Sequence, residues 1–259
     1  MAALHAELVG NGPPILLAHG FTQTGRLWGP FGATLAEHHR LVQVDLPGHG
    51  GSSSIEADLD GAGRLLLEAA ALGGDEPVDL LGYSLGARVA LHAALREPGR
   101  VRRLILIGAT GGIEDAAERE RRRARDEAMA DDLEASGDVA DFVDRWLANP
   151  MFSTLRSTNA EVAERRRNSA AGLASSLRRA GTGTQEPLWD RLAGCELPVL
   201  ALAGANDPRF VAAGLRIAEL TGGVFSAVVG AGHAAHLEQP ALCARIVEGW
   251  LAATGSSAA

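Results

Sequence analysis

Short runs of apolar residues recur along the chain, and turn residues bound each of them. Runs that are apolar almost throughout are typical of strands buried on both faces of a parallel sheet. The pattern predicts such strands at residues 15–18, 41–44, 78–81, 104–107, 199–203 and 224–229. Residues 4–9, which precede an Asn-Gly-Pro-Pro turn, predict an additional edge strand.

Between most of these runs the apolar positions repeat with helical spacing. Residues 85–96, for example, place apolar side chains on one stripe and leave Arg88 and Arg96 outside it. Strands that alternate with helices predict βαβ units with right-handed crossovers. We therefore expect an α/β fold with a mostly parallel central sheet and helices on both of its faces.

One long segment, residues 111–186, contains no run typical of a buried strand. It is rich in Arg, Glu, Asp and Ala at helical spacings, and most of its charges are expected on solvated helix faces. Its apolar positions include Met129, Leu133, Phe142, Val143, Trp146 and Leu147. We expect residues 1–110 and 187–259 to form the core, and residues 111–186, called the insertion below, to form a helical lid or cap.

Composition and charge narrow the functional classes. The chain has 259 residues and a formal net charge of −8, and all 24 of its basic residues are arginine. This acidic balance argues against general nucleic-acid binding. Residues 1–10 lack the regions of a signal peptide, and no apolar run approaches the roughly 20 residues that span a bilayer. We expect a cytoplasmic protein without a membrane span.

The remaining composition suggests little additional chemistry. Cys195 and Cys243 form no close-spaced motif, so we expect no disulfide framework. We also expect no metal and no cofactor. Residues 253–259 are small and polar, and they predict a frayed tail.

The sharpest local signal is Gly-Tyr-Ser-Leu-Gly at residues 82–86. The five-residue match alone is weak in a glycine-rich chain, but a predicted strand runs into it and a predicted helix follows at once. A strand-to-helix turn this tight leaves its serine strained and exposed, and the flanking glycines let other backbone pass close by. Ser84 is therefore the candidate nucleophile or base.

A serine hydroxyl needs a neighbour that takes its proton, and histidine titrates near neutral pH. His233 follows the last predicted strand and a glycine turn, and we favour it over His236. Asp207 follows the strand before that and is the candidate acid, with Glu238 as a weaker one and a helix N-cap as the alternative role of Asp207. The order Ser84, Asp207, His233 is that of α/β hydrolases. Three other histidines are expected at the surface or on helix sides: His38, His39 and His92.

An oxyanion hole needs two backbone N–H donors. One is expected from Leu85, directly after the serine, and the other from Phe21, in the loop after residues 15–18. We expect His19 to hold that loop rather than to take part in the chemistry. Residues 45–50 follow the next strand and are expected to shape the same rim.

Motifs along almost the whole chain resemble those of α/β hydrolases, including His-Gly-Phe at residues 19–21 and Asp-Leu-Pro-Gly-His-Gly at residues 45–50. Ala87 departs from the second glycine usual after the elbow. More specific features are similar to the 2-succinyl-6-hydroxy-2,4-cyclohexadiene-1-carboxylate (SHCHC) synthases of menaquinone biosynthesis. They are Tyr83 and Arg88, the arginine-rich run after Ile113, Trp146 with residues 149–152, residues 181–185 with Trp189, residues 207–210 and residues 232–240.

The resemblance implies an enzyme that eliminates pyruvate from a small cyclohexene substrate bearing three carboxylates. An acidic protein that gathers arginines beside its active site is equipped for such a polyanion. Arg88 lies one helical turn after Ser84 and can face the same cavity. The run at residues 165–167 could equally be a solvated helix face. The substrate-binding residues that the resemblance implies are Tyr83, Arg88, Arg122, Trp146 and either Arg165 or Arg167.

The implied mechanism is proton abstraction by Ser84, assisted by His233, beside the succinyl ketone. The oxyanion hole would stabilise the enolate, pyruvate would leave, and no acyl-enzyme is required. The same triad could instead hydrolyse an ester or a carbon–carbon bond, because a fold does not fix a function. A non-catalytic receptor for a small molecule is the third hypothesis.

Overall fold

The computed structural model describes residues 3–74 and 76–255, and these contain one seven-stranded sheet. The strands are β1 Ala6–Val9, β2 Pro14–Ala18, β3 Arg40–Val44, β4 Val78–Tyr83, β5 Val101–Ile107, β6 Val199–Gly204 and β7 Val224–Val228. Their spatial order is β1-β3-β2-β4-β5-β6-β7, in which β1 pairs with β3 antiparallel and all other neighbours are parallel. The predicted α/β class, five of the six predicted buried strands and the additional edge strand are confirmed.

Helices cover both faces of this sheet. Successive strand residues point to opposite faces, and because these strands are apolar almost throughout, each face has apolar side chains that the helices cover. The helices of this core are α1 Gly29–Ala36, α2 Leu59–Ala70, α3 Leu85–Arg96, α8 Trp189–Leu192, α9 Pro208–Thr221, α10 Ala235–Glu238 and α11 Pro240–Gly255, with single 3-10 turns at Gly50–Ser52 and Pro98–Arg100. Ile15 and Leu17 pack in one buried cluster with α1, α10 and α11, whereas Leu16 and Ala18 pack in the other with α2, α3 and α8.

The insertion leaves the sheet after β5 and returns before β6. It has its own small apolar core, to which α4, α5 and α7 contribute and against which Phe21 packs. Side-chain caps begin its helices, and Gly137 in the left-handed conformation (φ 64°) ends α4. The helices are α4 Ala116–Ser136, α5 Val139–Leu147, α6 Asn159–Arg165 and α7 Ala170–Ala180, with a 3-10 turn at Pro150–Phe152.

Two sequence-based expectations are wrong within the described residues: a strand buried on both faces at residues 224–229, and a frayed tail as far as residues 253–255 are concerned. The strand predicted at residues 224–229 is not buried on both faces, because β7 is an edge strand and Val224 is 49% exposed. The predicted frayed tail is helical as far as Gly255, where the Thr254 hydroxyl donates to the Trp250 carbonyl and Arg103 donates to Thr254. Residues 1–2 of the N-terminal segment and residues 256–259 of the tail lie outside the described residues.

Two of the histidines expected at the surface or on helix sides are buried instead. His39 pairs with Glu248 on α11 at 3.0 Å, and His92 pairs with Asp60 on α2 at 2.7 Å. His38 is exposed. The carboxylates that hold His39 and His92 come from distant parts of the chain, so their pairing has no local sequence signal.

Candidate active site

Ser84 occupies the turn between β4 and α3, in strained backbone with φ 51° and ψ −105°. Its N–H donates to the Ile107 carbonyl (2.9 Å), which ties the turn to the neighbouring strand. At Gly86 a Cβ atom would lie 1.9 Å from the Ala18 carbonyl oxygen, so a side chain there cannot be accommodated. The sharp turn and the close approach that the sequence predicted are both present.

His233 connects Ser84 and Asp207. Its Nε2 lies 3.0 Å from the Ser84 Oγ, and its Nδ1 lies 3.0 Å from the Asp207 Oδ2. Because a carboxylate can only accept, Nδ1 carries the proton and Nε2 is free to accept from the serine. This is the tautomer that a general base beside a serine requires.

The alternatives to this triad have other contacts. Glu238 accepts the backbone N–H groups of Gly232 (2.8 Å) and Ala234 (3.1 Å), so it shapes the loop that carries His233. Asp207 has both of the roles considered for it, because its Oδ1 also accepts the N–H of Phe210 (3.4 Å) as the N-cap of α9.

His236 lies beneath the site, fully buried against aromatic rings. Its ring centroid is 4.3 Å from that of Tyr83 and 5.2 Å from that of Trp28. Burial lowers its pKa to about 3, and neither ring nitrogen has a hydrogen-bond partner among the described residues. Its contacts are packing contacts, in contrast to those of His233.

A cavity of about 290 Å³ lies between the core and the insertion, beside Ser84. The core contributes the serine turn and the start of α9, and the insertion contributes α4, α5, α6 and α7. Phe21, Tyr83, Ser84, Leu85, Arg88, Arg122, Asp126, Trp146, Phe152, Arg165, Asp207, Arg209 and Phe210 are among its lining residues. Tyr83, Trp146 and the arginines Arg88 and Arg122, all expected to bind substrate, thus share one cavity.

Arg88 reaches from α3 toward the end of α7. Its Nη1 donates to the carbonyls of Ala180 (2.8 Å) and Gly181 (3.3 Å), while the residue is 7% exposed. Burial, followed by the neighbouring Arg122, lowers the pKa of Arg88 to about 10, so it stays cationic at neutral pH. Arg88 joins the core to the insertion and brings a charge into the cavity.

Arg122 is held by an acid that the sequence did not single out. Its Nε donates to Asp126 (2.8 Å), one helical turn later on α4, and Asp126 is 1% exposed. The other Asp126 oxygen accepts the N–H of Gly183 (3.3 Å). The i,i+4 spacing was visible in the sequence, but most charges of the insertion were expected on solvated helix faces, and nothing distinguished Asp126 from them.

The structure separates Arg165 from Arg167. Arg165 is 2% exposed and lines the cavity, and its Nη1 donates to the Thr22 hydroxyl (2.8 Å). Burial lowers its pKa. The Arg167 side chain is 62% exposed and pairs with Glu164 (3.3 Å) outside this cavity. Of the two arginines considered for substrate binding, Arg165 therefore lies in the cavity, whereas Arg167 lies on the solvent side of the turn after α6.

Sequence reasoning missed the residues that position Arg165. Thr22 has a positive φ of 66°, which is uncommon for a residue with a side chain. The Asn168 amide donates to the Thr22 carbonyl (2.8 Å) and to the Arg165 carbonyl (2.9 Å). The loop after β2 and the end of α6 are thus joined, and this contact between distant segments leaves no pattern in the sequence.

The backbone N–H groups expected to form an oxyanion hole lie at the cavity. Leu85 is the first residue of α3, so its N–H has no acceptor within the helix. The N–H of Phe21 has no acceptor within residues 3–74 and 76–255. His19 holds the loop as expected: its Nδ1 is 2.8 Å from the Gly20 carbonyl, and its Nε2 accepts from Leu46 (3.0 Å). Burial lowers its pKa to about 4.

Aromatic rings enclose the imidazole of His233. The Phe210 ring centroid is 4.3 Å from that of His233, and the Phe152 centroid is 5.9 Å away. Trp146 packs against Phe21, with centroids 5.0 Å apart. These rings restrict water near the base, which strengthens electrostatic interactions within the cavity.

The part of the chain that the structure describes contains no cluster of three or more potential metal-ligating side chains. Within the same residues, no helix has the length and apolar character needed to cross a membrane. The contacts of His233 with Ser84 and Asp207 are suited to proton transfer, and the cavity arginines are suited to stabilising negative charge.

The chain is similar to known proteins of one fold family. Residues 13–240 match the family model described as the alpha/beta hydrolase fold. The chain is 34% identical over 240 residues to the 2-succinyl-6-hydroxy-2,4-cyclohexadiene-1-carboxylate synthase of Klebsiella pneumoniae, covering 90% of this chain and 93% of the relative. The solved structure of MenH from S. aureus superposes with a TM-score of 0.86 at 28% identity, covering 95% and 97%. An esterase from Thermogutta terrifontis, solved with malate bound, gives a TM-score of 0.82 at 25% identity, covering 96% and 92%.

Proposed function

Because the chain belongs to the α/β-hydrolase-fold family and to the group of SHCHC synthases within it, we propose that it eliminates pyruvate from an enolpyruvyl cyclohexene precursor in menaquinone biosynthesis. The product is 2-succinyl-6-hydroxy-2,4-cyclohexadiene-1-carboxylate. One observation carries the choice of substrate: Arg88, Arg122 and Arg165 line the cavity that contains the serine. Cations that line the cavity of a catalytic serine favour a small polyanion over a neutral ester.

The triad supplies the base in this reaction. The Ser84 hydroxyl passes its proton to Nε2 of His233, and the Asp207 carboxylate stabilises the imidazolium that forms. The serine oxygen then removes the proton on the carbon beside the succinyl ketone. No bond forms between Ser84 and the substrate, so the step requires no acyl-enzyme.

The enolate that results is stabilised by the N–H groups of Phe21 and Leu85, which act as the oxyanion hole. Its electrons form a new ring double bond and expel the enolpyruvyl oxygen. The leaving enolpyruvate takes up a proton and becomes pyruvate. The proton that His233 received is available for this step, so the triad returns to its starting state.

The three arginines hold the substrate carboxylates, and the insertion acts as a lid over them. Arg88 belongs to the core, whereas Arg122 and Arg165 belong to the insertion, so one tricarboxylate can bridge both parts. Such a bridge holds the insertion against the core, because a ligand stabilises the conformation to which it binds more tightly.

Ester hydrolysis is the second candidate, since the triad is complete and the chain is similar in fold to an esterase. The two reactions differ in their intermediates. A hydrolase forms a covalent acyl-enzyme, which aryl esters report as a burst of product. The synthase is expected to turn over such esters poorly.

The experiment supplies the purified enzyme with the enolpyruvyl precursor and measures pyruvate with a coupled dehydrogenase, beside a panel of aryl esters. We expect rapid pyruvate release and slow ester turnover. Ser84→Ala should lower pyruvate release by several orders of magnitude with the fold intact, as for members of a catalytic unit. His233→Ala should lose far more activity than His236→Ala. A greater loss of activity in His236→Ala would contradict the assignment of His233 as the base.

The outcomes separate the three hypotheses. Fast ester turnover with a burst and without pyruvate release would identify a hydrolase. Binding of the precursor without turnover of either substrate class would identify a receptor.

A further inference from the structure

Arg209 is a fourth cavity arginine for which the mechanism above has no role. It is the second residue of α9, two positions after Asp207, and its exposed side chain lines the same cavity as Ser84. The other cavity arginines each hold a protein group: Arg88 two carbonyls, Arg122 a carboxylate and Arg165 a hydroxyl. Arg209 has no hydrogen bond or ion pair within the described residues.

The position of Arg209 is nevertheless defined. Its guanidinium carbon lies 5.8 Å from the ring centroid of Phe210, and that ring packs 4.3 Å from the His233 imidazole. A cation near the face of an aromatic ring is attracted to it, which favours this placement over free solvent. The guanidinium is thus held on the core side of the cavity, next to the triad, where water can reach it.

The charge balance of the cavity favours an anion beside Arg209. The described lining contains four arginines and two acids, Asp126 and Asp207. Asp126 is engaged by Arg122, and Asp207 is engaged by His233. No acid of the cavity is therefore available to Arg209, and a carboxylate of the ligand would find an unpaired cation there.

We propose that Arg209 binds the carboxylate of the pyruvate that leaves, and so helps to fix which substituent of the ring is eliminated. This inference rests on the proposed function. Arg88 and Arg165 are almost fully buried and suit carboxylates of the part that remains in the cavity. Arg209 is exposed, so the ion pair it forms is weak enough to break when the product departs. Recognition and release of the leaving group are thus assigned to one exposed side chain.

The test measures inhibition by pyruvate, with methyl pyruvate as a ligand that lacks the charge. Arg209→Ala and Arg209→Met should raise the inhibition constant of pyruvate about threefold to tenfold, the range of one partly exposed charge-assisted contact. Arg209→Lys keeps the charge and should stay within about twofold of the wild-type value. Inhibition by methyl pyruvate should be equally weak in all forms.

Arg245→Ala is the matched control. Arg245 is also exposed, lies on α11 away from the cavity, and its loss changes the net charge by the same amount. It should leave pyruvate inhibition unchanged. An equal effect of Arg245→Ala would mean long-range attraction and would overturn the proposed contact.

Three further results would overturn it. The first is an unchanged inhibition constant of pyruvate in Arg209→Ala. The second is an Arg209→Met enzyme that pyruvate inhibits as well as Arg209→Lys, which would indicate that the side chain acts by packing on Phe210. The third is absence of pyruvate inhibition in the wild-type enzyme. Failure of the proposed function is distinguishable, because the wild-type enzyme would then release no pyruvate from the precursor.

Discussion

Replacing Arg88 with lysine separates two tasks that the structure gives to this side chain. Its Nη1 binds the Ala180 and Gly181 carbonyls at the end of α7, and its remaining N–H groups can bind a substrate carboxylate in the cavity. Lysine keeps the charge and can donate to one carbonyl. It lacks the planar fork, so it cannot satisfy the carbonyls and a carboxylate together.

The expected magnitude follows from the contacts that are lost. A hydrogen bond to a charged group contributes about 1.5–3 kcal/mol, which corresponds to about a 10- to 150-fold change in kcat/KM. Arg88→Lys should lose that much activity while keeping most of its stability. Arg88→Ala should also lower the free energy of unfolding by about 1–3 kcal/mol, because the buried Ala180 carbonyl loses its donor.

The assays are pyruvate release from the precursor and denaturant unfolding, each with a control on the insertion. Arg119→Ala would be a poor control, because Arg119 donates to the Ile113 (2.8 Å) and Glu114 (3.2 Å) carbonyls at the start of the insertion. Arg121 is exposed and is the better choice. Wild-type activity in Arg88→Lys, or equal small losses in Arg88→Ala and Arg121→Ala, would refute the role of Arg88.

Three further predictions concern stability. Asp79→Asn should lower the free energy of unfolding by about 3–5 kcal/mol, because it breaks the ion pairs of a fully buried carboxylate with Arg102 (2.6 Å) and Arg103 (2.5 Å). An unchanged midpoint of urea unfolding would contradict this. Gly86→Ala should prevent stable folding, because its Cβ would meet the backbone at 1.9 Å, and a wild-type melting temperature would show that the elbow can relax. Burial lowers the His236 pKa from 6.5 to about 3, so the unfolded chain binds a proton that the folded chain rejects as pH falls below 6.5. The free energy of unfolding should therefore decline by up to about 1.4 kcal/mol for each pH unit below 6.5 because of this residue. His236→Phe should make this decline shallower between pH 7 and 5, whereas an unchanged slope would mean that His236 is charged or solvated.

The triad could be predicted from the sequence because each member follows a strand. The carboxyl ends of parallel strands meet at one edge of the sheet, so Ser84, Asp207 and His233 converge once the strands are recognised. The same reasoning predicted the elbow and the loop that carries Phe21. Each of these features is a local pattern in the sequence, and the pairing order of the strands brings the features together at one site.

The insertion was less predictable because its residues are brought together by contacts between helices. Spacing along a helix shows which residues share a face, but not which face meets the core. Arg165 and Arg167 therefore looked equivalent in the sequence, although one is buried and the other exposed. Asp126 was overlooked for the same reason, since its burial depends on the chain near Gly183.

The mass of the product formed in isotope-labelled water tests the central claim most directly, namely elimination by proton abstraction rather than hydrolysis. The enzyme is given the enolpyruvyl precursor, and the ring product is analysed by mass spectrometry, with Ser84→Ala as the control. Elimination predicts a diene whose mass is that of the precursor less pyruvic acid, with no oxygen from water in the ring product and almost no product from Ser84→Ala. A ring product heavier than this diene by one water would contradict this account, whether or not it carries the label, because hydrolysis of the enol ether can leave the substrate oxygen on the ring.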